Sequence, residues 1–269
     1  METWRFIDHG AFSGAENMAI DEALLEEAIN NHGAPVLRFY TWTRPTLSLG
    51  YFQKAQEEVD FSECEKLGVD VVRRPTGGRA VLHEFELTYS IVGSIQHPKL
   101  SGTVLESYLK ISKGLLLGLK NLGIEGEIAE GKKTSDLSAI CFEAPSWYEL
   151  TVEGRKVIGS AQVRRGDYLL QHGAIVIKMD VDKLFRVLKF KSLEQKERIR
   201  ASFHRKAGAI HDFSPREFSL AEIKEAFLKG FSEGLEVNFQ KSYLTPEEEE
   251  ISKKLLKEKY LSRDWLYRI

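Results

Sequence analysis

Only two cysteines, Cys64 and Cys141, occur in the 269 residues. They lie far apart, with no Cys/His cluster at metal-ligand spacing, which excludes a disulfide framework and a structural zinc site and leaves free thiols. No apolar run approaches the roughly 20 residues of a membrane-crossing helix, so a membrane is not expected as a partner. The net charge is −2, with 38 basic against 40 acidic side chains. The chain as a whole therefore does not advertise a polyanion partner, and nucleic acid is not expected. There is no phosphate-loop motif and no G-x-G-x-x-G after a strand, which disfavours a doubly wound nucleotide-binding fold. Internal repeats are missing, as is any low-complexity tract beyond the acidic run Glu247 to Glu250. Met1 to Gly10 lacks the basic-then-apolar succession of a signal peptide, so a cytoplasmic location is the expectation.

What is present is enough for a sizeable core. Hydrophobic residues make up 42% and charged residues 29%, ordinary for a soluble globular protein. Trp4 to His9 alternates like a strand, and Ser13 can cap a helix that runs to about Asn30 and closes at Gly33, with Met18, Leu24, Leu25 and Ala28 facing inward. Strand patterns follow at 36–42, 46–52, 69–73, 80–82 and 87–92, with a short helix at 61–67 and a longer one at 104–119. Glu130 to Ser138 is polar and aperiodic and is read as a loop. Three tightly joined antiparallel strands are predicted at 147–152, 156–163 and 168–177. Helical patterns then cover 181–188, 220–233 and 247–257, with a basic linker after the first. Strands in hairpin-like clusters separated by helices, without βαβ alternation, predict an α+β fold: a single domain with a mixed, largely antiparallel sheet flanked by helices.

Four stretches could carry chemistry. In RRPTGGRAVLHEFELTYS, Arg73 to Ser90, paired glycines after a strand let backbone amides approach a ligand, and Arg73, Arg74 and Arg79 supply charge for a carboxylate or phosphate. A lone Gly-Gly is more often a surface turn. His83, within that stretch, suits acid–base work, because an unperturbed histidine side chain titrates near neutrality, or else a structural role. In EGRKVIGSA, Glu153 to Ala161, Gly159 and Ser160 leave room for a ligand on the sheet, and Lys156 would meet developing negative charge; a hairpin lysine is usually just solvated. Gln171-His172-Gly173 could line the same groove, although a histidine in an apolar strand is more often a satisfied core residue. Cys141, in SAICFEAPSWYE, stands where a nearby cation would turn it into a thiolate nucleophile. The alternative for a free cysteine is a small buried hydrophobe, the role expected of Cys64.

Together these stretches resemble the biotin and lipoate protein ligase superfamily, in that family's order and spacing over roughly residues 1 to 240. Arg73 to His83 is similar to its RRxxGGxAVxH signature, Lys156 to Ala161 to KxxGSA, and His172-Gly173 to its HG strand. Within the superfamily the chain resembles the octanoyltransferases more than the ATP-dependent lipoate ligases. Arg79 stands where ligases generally have a third glycine, Cys141 precedes Lys156 by fifteen positions, and no sizeable accessory domain follows.

The resemblance implies the biotin/lipoate ligase catalytic-domain fold, with residues 1–240 as the acyltransferase domain and 241–269 as a helical extension on it. It implies transfer of an octanoyl group from octanoyl-acyl carrier protein to a lysine of the H protein of the glycine cleavage system or of a lipoyl domain. Cys141 would carry the acyl group and Lys156 would assist. Arg73, Gly77, Gly78, Arg79, His83, Gly159, Ser160, His172 and Gly173 would bind substrate, with no cofactor and no metal. The competing implication is a lipoate ligase that uses ATP, with Cys141 dispensable; a catalytically silent carrier-binding protein is a third.

Overall fold

The computed structural model describes residues 1–130 and 148–269. Cys141, Trp147 and the polar stretch after Glu130 lie outside the described residues.

The strands are β1 (Thr3–Phe12), β2 (Val36–Trp42), β3 (Thr46–Leu49), β4 (Asp70–Arg73), β5 (Val81–His83), β6 (Glu86–Ser94), β7 (Glu127–Glu130), β8 (Tyr148–Val152), β9 (Arg155–Arg165), β10 (Tyr168–Val176) and β11 (Asn238–Lys241). The α-helices are α1 (Gly14–Asn31), α2 (Ala55–Glu58), α3 (Phe61–Leu67), α4 (Val104–Asn121), α5 (Val181–Val187), α6 (Leu193–Lys206), α7 (Leu220–Leu235), α8 (Pro246–Leu255) and α9 (Arg263–Leu266). Eight strands form one sheet in the order β11-β1-β2-β6-β10-β9-β8-β7. It is mixed: β1 runs parallel to β11 and β2, and the other neighbours are antiparallel. The expected α+β architecture is therefore present.

Local chemistry fixes the helix starts. Ser13, Thr103 and Ser219 each accept a hydrogen bond from the backbone three residues on, and Glu16, Glu106 and Glu222 answer to the cap's own N–H. Each such cap contributes about 1 kcal/mol. Helices α4 and α7 then lie against one face of the large sheet. Ile111, Leu115 and Leu119 of α4 meet Ile223, Phe227 and Phe231 of α7 over Phe39, Tyr89 and Leu169. The two helices approach closely because glycines face each other; a Cβ on Gly230 would sit 2.3 Å from the Gly118 nitrogen. Helix α1 covers the opposite face, with Ile20, Leu24 and Leu25 against Val36, Val92 and Leu170.

The structure departs from the sequence expectations in several places. A second, three-stranded sheet, β4-β3-β5, stands apart from the large one and packs with Leu184, Phe185 and Phe203 of α5 and α6. Helix α6 occupies the expected basic linker; only Ile199 and Phe203 of it are buried, too thin a stripe to mark it. Strand β11 is an edge strand whose side chains stay largely exposed. Helix α1 ends with His32 in the left-handed conformation, φ 54°, one residue before Gly33. The strand expected to reach Phe52 stops at Leu49, because the Gln53 N–H turns back to the Gly50 carbonyl at 3.1 Å.

The chain after β11 returns to the body. Helix α8 packs on α1, and the Trp265 indole donates to the Arg73 carbonyl at 2.9 Å.

Candidate active site

A cavity opens between the large sheet, the small sheet and the N-terminal part of α1. One wall is the β9–β10 hairpin, with Gly159, Ser160, His172 and Gly173; the other is the small sheet and its turn, with Ser48, Arg74, Gly78 and His83. Antiparallel pairing sets Gly173 opposite Ser160. Gly173 must lack a side chain, because a Cβ there would lie 2.6 Å from Ser160 Oγ and 2.7 Å from both the Gly159 carbonyl oxygen and Tyr89 Cε1. Small residues thus keep this wall flat while Met18, Tyr40, Trp42 and Val81 give the cavity an apolar lining.

Two histidines face the cavity, each backed by a carboxylate. His172 Nδ1 lies 3.0 Å from Asp21 Oδ2, and its Nε2 lies 2.7 Å from Thr76 Oγ1. Asp21 is fully buried and also accepts from Arg38 Nη1 (2.7 Å), the Tyr40 hydroxyl (2.8 Å) and Ser90 Oγ (2.8 Å). Burial pushes the Asp21 carboxyl up, but Arg38 and the hydrogen bonds from His172 and Ser90 outweigh it and hold its pKa below the usual carboxylate range. Burial lowers the His172 pKa, Arg74 adds to that, and Asp21 opposes it, so the ring is neutral at pH 7. An ionised Asp21 accepts a hydrogen bond from Nδ1–H, which leaves Nε2 to accept from the Thr76 hydroxyl.

His83 is the second. Its Nδ1 lies 2.7 Å from Glu86 Oε1 and its Nε2 2.7 Å from Ser48 Oγ. The Trp42 ring stacks on it at 4.1 Å. Trp42 and Thr88 both donate to Glu86, at 3.2 and 2.5 Å, so the carboxylate behind His83 is fixed from three sides. Arg74 Nη1 donates to Ser48 Oγ (3.1 Å), and its Nη2 to the carbonyls of Gly77 (2.8 Å) and Arg79 (2.7 Å). That fork folds the turn, where Gly78 takes φ +90°.

Of the residues singled out from sequence, Gly78, His83, Gly159, Ser160, His172 and Gly173 line this one cavity. Gly77 contributes its carbonyl to the Arg74 fork. Arg73 is fully buried away from the cavity lining, donating to the carbonyls of Gly50, Tyr51, Trp265 and Leu266. Arg79 lies 3.8 Å from Glu58. Lys156 is 4% exposed and pairs with Glu149 at 3.0 Å; it stands on β9 four residues before Ser160. Cys64 is buried, and burial raises its thiol to about 11. The sequence reading missed Arg74 as the inward arginine, and it missed Ser48, Trp42 and Asp21 altogether. The alternation Arg73-Arg74 at a strand end was a signal that only one of the pair could turn toward the cavity. Among the described residues no group of three or more His, Cys, Asp or Glu side chains could hold a metal ion, and no helix is long and apolar enough to cross a membrane.

Residues 13–232 match the lipoyl protein ligase A/B catalytic domain family. The chain is 91% identical, over the full length of both, to a Carboxydothermus hydrogenoformans protein named octanoyltransferase LipM. It is 45% identical to the Bacillus subtilis protein of that name, over 99% of each chain. Among solved structures, the bipartite lipoate protein ligase of Thermoplasma acidophilum, studied with its E2 lipoyl domain, superposes with a TM-score of 0.83 at 26% identity, covering 99% of this chain and 97% of that one. A lipoate-protein ligase A bound with ATP gives 0.81 at 27% identity, covering 99% of each. The chain belongs to the lipoyl protein ligase A/B catalytic domain family, within its octanoyltransferase branch, and is an acyltransferase.

Proposed function

We propose that this enzyme transfers an octanoyl group from octanoyl-acyl carrier protein to a lysine of a lipoyl carrier, the H protein or a lipoyl domain, in the cytoplasm, through an acyl-cysteine on Cys141. The observation that carries the reading is full-length similarity, at 91% identity, to an octanoyltransferase. Two features of the chain support it. The cavity is lined by the apolar side chains of Met18, Tyr40, Trp42 and Val81 against the small residues Gly159, Ser160 and Gly173, a lining that suits a narrow acyl chain. A buried cation, Lys156, stands on the strand that forms its wall.

In this mechanism the Cys141 thiolate attacks the donor thioester, the carrier thiol leaves, and the acyl chain lies along Gly159, Ser160 and Gly173. The carrier lysine then attacks the acyl-cysteine, an amide C–N bond forms, and the cysteine leaves as thiolate. Exchange of one thioester for another is nearly isoenergetic and amide formation from a thioester is downhill, so no ATP is required. Lys156, oriented by Glu149, would stabilise the thiolate and polarise the acyl carbonyl. Residues 1–240 would hold this machinery, with 241–269 bracing it. The second reading, an ATP-dependent lipoate ligase, draws on the likeness to the ATP-bound lipoate-protein ligase A.

Intact-protein mass spectrometry tests both. After mixing with octanoyl-acyl carrier protein and no ATP, one octanoyl adduct is expected on the wild type, cleavable by hydroxylamine and missing from Cys141→Ala. No adduct, together with ATP-dependent acylation of a carrier from free lipoate, would establish the ligase instead.

A further inference from the structure

The acyl transfer proposed above leaves one proton without a destination: the amine of the carrier lysine must lose it as the amide forms. Two carboxylate-backed histidines face the cavity, and their surroundings differ. Asp21 behind His172 is already hydrogen-bonded to the Arg38 guanidinium at 2.7 Å, so protonating His172 would leave an uncompensated buried positive charge. Glu86 behind His83 is bonded to the Trp42 indole, the Thr88 hydroxyl and the imidazole itself, all neutral donors. An imidazolium at His83 would therefore meet, 2.7 Å away, a carboxylate that no lysine or arginine among the described residues already neutralises.

We infer that Ser48 and His83, backed by Glu86, form the proton relay of the amide-forming step. This rests on the octanoyl-transfer reading. Ser48 lines the cavity, and its hydroxyl lies 2.7 Å from His83 Nε2. As the amine attacks, the C–N bond forms, the C–S bond breaks and its electron pair leaves with the sulfur. The amine proton passes to Ser48 Oγ while Ser48's own proton passes to His83 Nε2, and the imidazolium forms against Glu86 before releasing its proton to water. Ser48 is the group that touches the reacting nitrogen; His83 acts through it and Glu86 through His83. Other charged or titratable groups around His83 include Arg74, one hydrogen bond away on Ser48 Oγ, and His172 and Tyr40, which line the same cavity.

The test starts from octanoyl-enzyme preformed on wild type, Ser48→Ala, His83→Gln and Glu86→Gln proteins, each checked for an unchanged melting temperature. Single-turnover release to the lipoyl carrier is followed against pH, beside release to hydroxylamine. In His83→Gln, release to the carrier should fall on the order of 100-fold or more, and the acidic limb due to His83 should vanish from its pH profile, leaving only the ionisation of the carrier amine, while release to hydroxylamine stays near the wild-type rate. Glu86→Gln should lower the plateau and shift that limb to lower pH, because the imidazolium loses its counter-ion. Equal slowing toward both acceptors, or carrier release at the wild-type rate, would overturn the relay. So would an octanoyl ester on Ser48 in Cys141→Ala protein, which would make the serine a nucleophile. Failure of the wild type to form any acyl-enzyme would instead sink the transfer reading itself.

Discussion

Arg73 and Leu266, 193 positions apart, are joined by two hydrogen bonds, at 3.1 Å from Nε and 2.7 Å from Nη2 to the same carbonyl oxygen. With its donations to Gly50, Tyr51 and Trp265, the guanidinium ties the small sheet to the C-terminal turn. Lysine cannot reproduce a planar fork. Arg73→Lys should therefore destabilise the fold by about 3 kcal/mol, from buried carbonyls left unpaired, with turnover per folded molecule changed less than about threefold. Urea unfolding and steady-state kinetics separate the two effects; a kcat loss at unchanged midpoint would put Arg73 in substrate binding instead.

Gly173→Ala should impair both stability and turnover. The new Cβ meets the Gly159 carbonyl oxygen, a backbone atom, at 2.7 Å, and overpacking of this kind costs about 1–3 kcal/mol. It also crowds the hydrogen bond between Tyr89 and Ser160, now 2.7 Å. A lower melting temperature with a raised KM for the acyl donor is expected; an unchanged KM would show that Gly173 only serves packing.

Stability should fall on mild acidification. Burial, aided by Arg38, lowers His9 from 6.5 to about 4, and His9 Nδ1 accepts from Arg38 Nε at 2.9 Å. The unfolded chain binds a proton at His9 below its ordinary pKa, whereas the native state refuses it until about 4. The contribution is therefore present above pH 6.5 and lost as pH drops toward 4. His9→Gln retains an acceptor for Arg38 without the titration, so its urea midpoint should decline less over that window than that of the wild type.

Shortening the donor chain should weaken its use in even steps. Each methylene withdrawn from an apolar wall costs about 0.8 kcal/mol, so kcat/KM should drop about fourfold per methylene from octanoyl to hexanoyl. A flat series would mean the acyl tail lies outside the cavity lined by Met18, Trp42 and Val81.

Carrier recognition should be salt-sensitive where thioester chemistry is not. Lys196, Arg198, Arg200, Arg205 and Lys206 of α6 form a basic stretch, suited to an acidic carrier. Raising ionic strength from 0.05 to 0.5 M is expected to increase KM for the carrier while the KM for a small octanoyl thioester stays constant.

The motifs were legible in sequence because each encodes its own local geometry: glycines mark the turn at 75–78 and the flat wall at 159 and 173. That the motifs meet was legible only through the order they share with a family. Pairing of Thr76 with His172, 96 positions apart, at 2.7 Å is a tertiary fact, as is the delivery of Ser48 to His83 by the separate small sheet. Asp21 was hidden for a different reason. A carboxylate in the middle of an amphipathic helix looks solvated until Arg38 on the neighbouring strand is known to face it. Helix α6 escaped because a helix with two buried side chains leaves almost no periodic trace, although Ser192 caps it.

The pairing of Thr3–Phe6 with Asn238–Lys241 also has a bearing on how the protein is made. The outer edge of β1 has no strand partner until residue 241 has been synthesised, so for most of translation it presents a free row of N–H and C=O groups. Closing a loop of that length is slow. Folding of the large sheet should thus finish after translation, and chains stalled before β11 should be captured by chaperones that bind extended strands.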